Sequence, residues 1–333
     1  MKSHSIIPIF LPELGCPKQC VFCNQKHISG QQSVPDAEEV KTIIEKYLST
    51  LEGLNRNVEL AFFGGSFTAL DAELQEKYLK AVQPYLIEKS ISGIRISTRP
   101  DAITDENLQM LKKYGVQIIE LGVQSLDDEV LRLSGRGYKA ATVYEAAEKI
   151  NRHGFTLGMQ MMIGLPGSDP EKDIFTAKEI IRCEAAGTRI YPLLVFRDTD
   201  LEQLYRSGQY HSLSVEEAVE QSATILELFQ DAGVQVYKIG LHPSEFLDNG
   251  DLLAGPWIPA FRQHVQARVW LKKFQSALHT DPTITGFAIN PSDLNSAIGP
   301  KSCNRNYFQK INTSVTIKAD SGITKGEFYA FHS

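Results

Sequence analysis

The sequence has no long hydrophobic run. None of its apolar stretches approaches the roughly 20 residues that cross a bilayer, so a membrane-spanning chain is not expected. Cysteine is scarce, with five in 333 residues. An odd count, with no secretory leader expected ahead of it, does not make a disulfide framework. The opening apolar run 6–11 is too short for a lipoprotein signal, contains Pro8, and gives way at once to Pro12 and Glu13. There is no tandem repeat and no low-complexity tract. A reducing compartment, the cytoplasm, is the expected location. What remains is ordinary for a soluble enzyme with a sizeable core: 42% apolar and 22% charged residues. The length suits one large α/β domain with something smaller.

An overall surplus of positive charge is also missing, since the formal net charge is −6. The charge is uneven, however. From Phe261 onward there are nine Lys/Arg against four Asp/Glu, whereas residues 1–260 carry a formal −11. The end of the chain therefore suits either a polyanion or an ordinary solvated basic helix.

Three of the few cysteines are concentrated in Gly15-Cys16-Pro17-Lys18-Gln19-Cys20-Val21-Phe22-Cys23. The spacing is C-x3-C-x2-C, with an aromatic before the last thiol. Three thiolates on one short loop can hold three corners of an iron–sulfur cube, leaving the fourth iron for a small molecule. Structural zinc needs four protein ligands. Here only His27 follows, four residues after Cys23, with no second pair. Cys183 reads as a small apolar residue on a helix. Cys303 has no companion cysteines and does not read as a further ligand.

Short strand-like runs alternate with amphipathic helical stretches. Strands are expected at 6–11, 58–63, 93–98, 116–123, 155–163 and 188–196, and helices at 37–51, 71–86, 105–114, 140–153 and 170–186. Thr104 and Ser214 read as helix N-caps. Repeated strand–helix units imply a parallel sheet with right-handed crossovers. Six units make an open α/β barrel, a partial (β/α)6 version of the TIM type, with chemistry at the C-terminal ends of its strands. A helix at 214–232 and a strand at 234–241 follow; Tyr237 and His242 at the end of that strand could face the mouth, but His242 reads first as a structural histidine. A helix at 261–278 leads to a small α+β module with a strand at 284–289, helices at 292–298 and 303–311, and a strand at 314–318. The expected divisions are 1–212 for the partial barrel, 213–280 for an extension with connecting helices, and 281–333 for the small module.

Polar and glycine-rich motifs stand at successive strand ends. Phe63-Gly64-Gly65-Ser66 lets backbone approach a ligand. Thr98-Arg99-Pro100-Asp101 offers a hydroxyl and a guanidinium that could fork onto a carboxylate, unless Arg99 merely pairs with Asp101. Gln124 and Ser125 point toward the mouth, and Arg136 lies between two glycines. Met162, Gly164 and Leu165, in Met161-Met162-Ile163-Gly164-Leu165-Pro166-Gly167, offer a soft apolar wall.

The cysteine loop with its aromatic, followed by these motifs in this order, resembles the radical S-adenosylmethionine (SAM) superfamily. Residues 98–101, 120–125, 135–137 and 189–195, with the continuation 201–210, are more closely similar to the radical SAM domain of the Elongator catalytic subunit, over about residues 5–240. The resemblance implies a [4Fe–4S] cluster on Cys16, Cys20 and Cys23, whose open iron chelates SAM, and reductive cleavage to a 5′-deoxyadenosyl radical. It places SAM against Gly64, Gly65, Ser66, Thr98, Arg99, Gln124, Ser125, Arg136, Met162, Gly164 and Leu165. Ser66 stands where the family often has Glu. The resemblance also implies an external electron donor such as ferredoxin or flavodoxin, and tRNA wobble-uridine modification. The acetyltransferase domain of the Elongator subunit is not expected within these residues, so acetyl-CoA chemistry is not carried over.

The module at 281–333 resembles a KH unit, with Gly299-Pro300-Lys301-Ser302 in place of a GXXG loop. KH loops clamp nucleic-acid backbone. Gly299, Lys301 and Arg305 are its candidate RNA contacts, although Ser302 and Pro300 blunt the clamp. A purely structural cap is the alternative. Two other functions stay open: a radical SAM oxidoreductase acting on a small molecule, as in the oxygen-independent coproporphyrinogen oxidases, and a non-catalytic RNA-binding or iron-sensing protein with a structural cluster.

Overall fold

The computed structural model describes residues 3–16, 20–24, 33–51, 56–241, 250–311 and 315–332. They fall into two compact units, 1–212 with 229–255, and 213–228 with 256–333. His27 and His242 lie outside the described residues.

The first unit is built on seven parallel strands. In chain order they are β1 (Ser3–Leu11), β2 (Arg56–Gly64), β3 (Gly93–Thr98), β4 (Val116–Gln124), β5 (Thr156–Ile163), β6 (Gly187–Pro192) and, after a two-residue strand β7 (Val195–Phe196), β8 (Gln235–Ile239). Each pairs with the next in the order β1-β2-β3-β4-β5-β6-β8. The sheet curls as an open barrel, as the alternating pattern predicts. Between the strands run α1 (Ala37–Leu51), α2 (Ala72–Ile87), α3 (Asp105–Lys113), α4 (Asp128–Leu133), α5 (Ala140–Arg152) and α6 (Pro170–Arg182), followed by α7 (Asp200–Arg206). Their starts are chemically marked. Thr104 makes a reciprocal capping box with Asn107, and Asp169 accepts from Lys172 N just ahead of Pro170.

The six expected strands all form. The run 188–196 differs in being two pieces, because Pro192 has no N–H for the ladder. The chain then leaves the sheet, and β7 pairs antiparallel with β9 (Leu252–Ala254). The seventh strand, β8, extends the sheet by pairing parallel with β6.

Helix α8 (Val215–Asp231) contributes to both units and opens on the expected cap: Ser214 Oγ accepts from Glu217 N, and Glu217 Oε2 accepts from Ser214 N. The second unit contains α9 (Phe261–Thr280), β10 (Gly286–Ile289), α10 (Leu294–Ile298), α11 (Cys303–Ile311), β11 (Thr316–Ala319) and β12 (Phe328–Phe331). β10 is central, parallel to β11 and antiparallel to β12. Trp270, Phe274, Phe287, Ile289 and Phe308 form its core. Asn304, itself buried, donates to Ala267 O and Ala297 O and so ties α9, α10 and α11 together. The β-α-α-β order is therefore present, with β12 as an additional strand. Among the described residues no helix is long and apolar enough to cross a membrane.

Candidate active site at the barrel mouth

The cysteine loop follows β1 and is held on three sides by backbone. Gly65 N donates to Leu11 O at 2.7 Å and Ser66 N to Leu14 O at 2.8 Å. Val21 N donates to Ser134 O, and Val21 O accepts from Leu201 N. Asn24, buried, donates through Nδ2 to Arg197 O. Gly65 allows this closeness, since a Cβ there would stand 1.9 Å from Leu14 O. The Gly64-Gly65-Ser66 turn thus positions the cysteines, and the Gly65 and Ser66 N–H groups are occupied in doing so.

Cys16, Cys20 and Cys23 border one cavity of about 830 Å³, inside the size range of small-molecule sites. Burial pushes the Cys16 thiol above its ordinary range. Burial, reinforced by Cys20 and Cys16, pushes the Cys23 thiol up to about 12. Thiols held protonated in this way lose their protons to a metal centre. Among the described residues no three His, Cys, Asp or Glu groups close on one point, as a single metal ion would require. Three cavity-lining thiols on one short loop suit the corners of an iron–sulfur cube instead, so the donor set fits the cluster.

Arg136 bonds directly to the loop. It is buried, and its Nη1 donates to Cys20 Sγ at 2.9 Å. Its other nitrogens reach Gly122 O and the Tyr138 hydroxyl, the latter at 2.9 Å from Nε. Burial opposes its charge, but Tyr138 and Cys20 hold its pKa above the usual arginine value. Arg99 forks onto Asp101 at 2.9 and 2.8 Å and also donates to Arg136 O at 2.6 Å. Arg99 is therefore paired with Asp101 and also lines the cavity.

The candidate cofactor residues divide into two sets. Gly64, Gly65, Thr98, Arg99, Gln124, Arg136 and Met162 line the cavity together with the cysteines. Gln124 stands at a register shift between β4 and β5 and has φ +70°, a strained value for a side-chain-bearing residue of the kind found at functional sites. Ser66, Ser125, Gly164 and Leu165 do not line the cavity. Ser66 is buried and hydrogen-bonds Thr98 Oγ1 and Arg99 N. Ser125 accepts from Asp127 N. The Gly164 peptide is clamped, with its N–H donating to Asp173 Oδ2 and its carbonyl accepting from the Tyr210 hydroxyl. Leu165 packs with Val130, Leu193, Val195 and Leu201 in the cluster that supports Val21 and Phe22 of the cysteine loop.

Phe22 of the cysteine loop and Arg189 and Tyr191 of the 189–195 motif also line the cavity, joined by Phe10, Gln160 and Lys238, which no sequence motif marks. Beneath them, Glu120 accepts from Arg95 Nη1 at 2.6 Å and from Arg189 Nε at 2.5 Å, while Arg95 Nη2 donates to Glu59 at 3.0 Å. Tyr237 belongs to this layer, with the Arg95 guanidinium 4.6 Å above its ring. The signal that finds these residues is strand parity. On β4, Glu120, Gly122 and Gln124 share one face, and the matching faces of β5 and β6 carry Gln160, Met162, Arg189 and Tyr191.

Away from the barrel, Cys183 is half-buried and caps α6, and burial pushes its thiol up to about 11. Cys303 is exposed at the start of α11. In the small unit Gly299 is buried against Cys303 and Ala267, whereas Lys301 and Arg305 are exposed. Lys301 and Ser302 both have left-handed backbone, φ 51° and 58°.

Comparison with known proteins agrees with this geometry. The radical SAM superfamily model matches residues 12–179, and the radical SAM C-terminal domain model matches residues 185–271. The tRNA uridine(34) acetyltransferase of Dehalococcoides mccartyi is 28% identical over 237 residues, covering 61% of this chain and 52% of that one. Elongator complex protein 3 of Saccharomyces cerevisiae is 34% identical over 191 residues, covering 51% of this chain and 34% of its own length. The structure of the Methanocaldococcus infernus Elp3 protein lacking its N-terminus shares the fold, with a TM-score of 0.65 at 21% identity over 83% of this chain and 64% of that one. The chain spans between a third and two thirds of the length of these curated relatives. The chain is an enzyme of the radical SAM superfamily, with a [4Fe–4S] cluster and S-adenosylmethionine as its cofactors.

Proposed function

We propose that the chain modifies a base of an RNA, with tRNA as the substrate. The observation that carries this reading is the similarity along the barrel to proteins named for tRNA uridine(34) and for Elongator. The surplus of Lys and Arg in residues 261–333 adds little to it, since Arg268 and Lys272 pair with Glu216 and Glu220 of α8.

In this reading Cys16, Cys20 and Cys23 would hold the cluster through three thiolates, and cluster and SAM, when bound, would supply radical chemistry with an electron from a donor such as ferredoxin or flavodoxin. The protein's own residues orient and shield. Arg136 donates to Cys20, which stabilises thiolate charge in a buried setting. Arg99 and Asp101 hold the Arg136 carbonyl and fix its loop. Gln124 and Met162, which line the cavity, would contact the nucleoside of SAM. The aromatic walls Phe10, Phe22 and Phe63 keep water from a reactive centre. A base swung out of its stack enters at the strand ends, as enzymes acting on bases require.

The test is anaerobic. Reconstituted protein is given SAM and reductant, and 5′-deoxyadenosine is measured with and without total tRNA, followed by mass spectrometry of the nucleosides. Release that rises with tRNA, and disappears in the triple Cys16→Ala, Cys20→Ala, Cys23→Ala variant, supports the reading. Release indifferent to tRNA moves the substrate to a small molecule. Release that survives the triple variant overturns the cysteine assignment.

A further inference from the structure

The turn that follows α4 aims one charged side chain at the cysteine loop. Gly135 and Gly137 have φ of +68° and +76°, left-handed steps that turn the chain on both sides of Arg136. The turn is tied to the loop, since Val21 N donates to Ser134 O at 3.3 Å. It is tied to the barrel too, because Arg136 N donates to Leu131 O at 3.0 Å and Arg99 Nη2 donates to Arg136 O at 2.6 Å.

The guanidinium itself is held. The Tyr138 hydroxyl accepts from Nε at 2.9 Å and donates to Gly122 O at 3.0 Å. Nη2 donates to the same hydroxyl and to Gly122 O. Nη1 donates to Cys20 Sγ at 2.9 Å. Arginine has five N–H donors. These bonds occupy the one on Nε, both on Nη2 and one on Nη1, which leaves a single N–H, fewer than a bidentate grip on a carboxylate needs. Arg95, Arg99 and Arg189 each meet a carboxylate. Arg136 meets a sulfur in that place.

We propose that Arg136 is a positioning residue that sets the reduction potential of the cluster, through a guanidinium N–H held on the Cys20 sulfur. The inference rests on the cluster at Cys16, Cys20 and Cys23 and is independent of the substrate. Reduction by a low-potential one-electron donor adds one electron to the cluster and no proton. The added negative charge is shared with the cysteine sulfurs, and hydrogen bonds to those sulfurs are one lever on the potential. Arg136 stays charged in both states. It is buried, where a charge-assisted hydrogen bond is strong and little screened by water. The bond strengthens as the sulfur becomes more negative, so Arg136 favours the reduced form and makes the electron easier to accept.

The experiment is a potentiometric titration of the reconstituted full chain without SAM, using dithionite and mediator dyes. The electron paramagnetic resonance signal of the reduced cluster is the readout, after iron and sulfide have been counted. The variants are Arg136→Met, Arg136→Lys and Tyr138→Phe. Arg136→Met should make reduction roughly ten-fold less favourable, a midpoint about 59 mV more negative for one electron. Arg136→Lys keeps the charge without the rigid fork and should recover part of that shift. Tyr138→Phe keeps Arg136 but removes the hydroxyl that holds its Nε, and should move the midpoint the same way by less. An unmoved midpoint in Arg136→Met at full iron content overturns the proposal. Where Arg136→Met does not hold iron, Tyr138→Phe decides, and a full cluster at the wild-type midpoint overturns the proposal. SAM affinity weakened by Arg136→Met in equilibrium dialysis, with no change of midpoint, assigns the guanidinium to SAM and overturns it as well.

Discussion

Replacing Asp173 by Asn should make the protein more stable at alkaline pH and progressively less so as the solution is acidified. Asp173 is 1% exposed. Burial pushes its carboxyl from near 3.8 up to about 7, against the pull of its hydrogen bonds from Ser168 Oγ and Gly164 N and with a further push from Asp169. The sign follows from proton counting. Between about pH 4 and pH 7 the folded state holds a proton that the unfolded chain has released, so stability falls as pH rises through that window. Once the group is fully ionised the cost reaches about 4 kcal/mol. Asn keeps an acceptor for Gly164 N and carries no charge. Its advantage over the wild type should therefore grow by about 2–3 kcal/mol between pH 5 and pH 8. Urea unfolding of the two cluster-free proteins, followed by far-ultraviolet circular dichroism at each pH, reads the difference. All other titrations cancel between the variants. A difference in midpoint that is the same at pH 5 and pH 8 would refute a buried, proton-binding Asp173. The clamp on the Gly164 peptide would then be held by an ordinary ionised carboxylate.

Other outcomes follow from the same geometry. Glu120→Gln leaves Arg95 and Arg189 without the carboxylate that bridges them, at a cost of about 3–5 kcal/mol, seen as a fall in melting temperature of roughly 10 °C; an unchanged melting temperature would remove the charged layer from the stability of the barrel. Gly65→Ala places a methyl 1.9 Å from Leu14 O, and the cysteine loop must shift. Iron content and 5′-deoxyadenosine release should fall together while far-ultraviolet dichroism stays near wild type, and normal iron content would show that the loop tolerates the shift.

How far the sequence discloses the fold depends on which signals are local. The strands of the first unit are legible because each buried parallel strand is a short apolar run between turn residues. The cysteine loop is legible because all three thiols fall within one turn of chain. β12 goes unnoticed because Phe328-Tyr329-Ala330-Phe331 follows a turn-rich stretch and its partner β10 is some forty residues earlier, so nothing nearby announces the pairing. The charged layer under the cavity is hidden for a different reason. Glu59, Arg95, Glu120 and Arg189 come from four strands, and only the register of the sheet makes neighbours of them.

Parity within a strand recovers part of that register. On β4, Leu121 and Val123 are fully buried among apolar neighbours, and Glu120, Gly122 and Gln124 alternate with them on the cavity side. A charged residue that alternates with core aliphatics in a barrel strand has only the barrel interior to face. It must then find an opposite charge there, because an unpaired buried charge is prohibitive. Applied to β3 and β6, the same rule requires partners for Arg95 and Arg189, and Glu120 is the carboxylate within reach of both. Arg136 obeys the rule from a loop. Buried beside Cys20, it meets a sulfur, a hydroxyl and a carbonyl but no carboxylate. Every other buried arginine of the barrel has an acidic partner, among the described residues. Among the described residues the charge of Arg136 has no carboxylate to meet, and a thiolate at Cys20, 2.9 Å from Nη1, would supply the match.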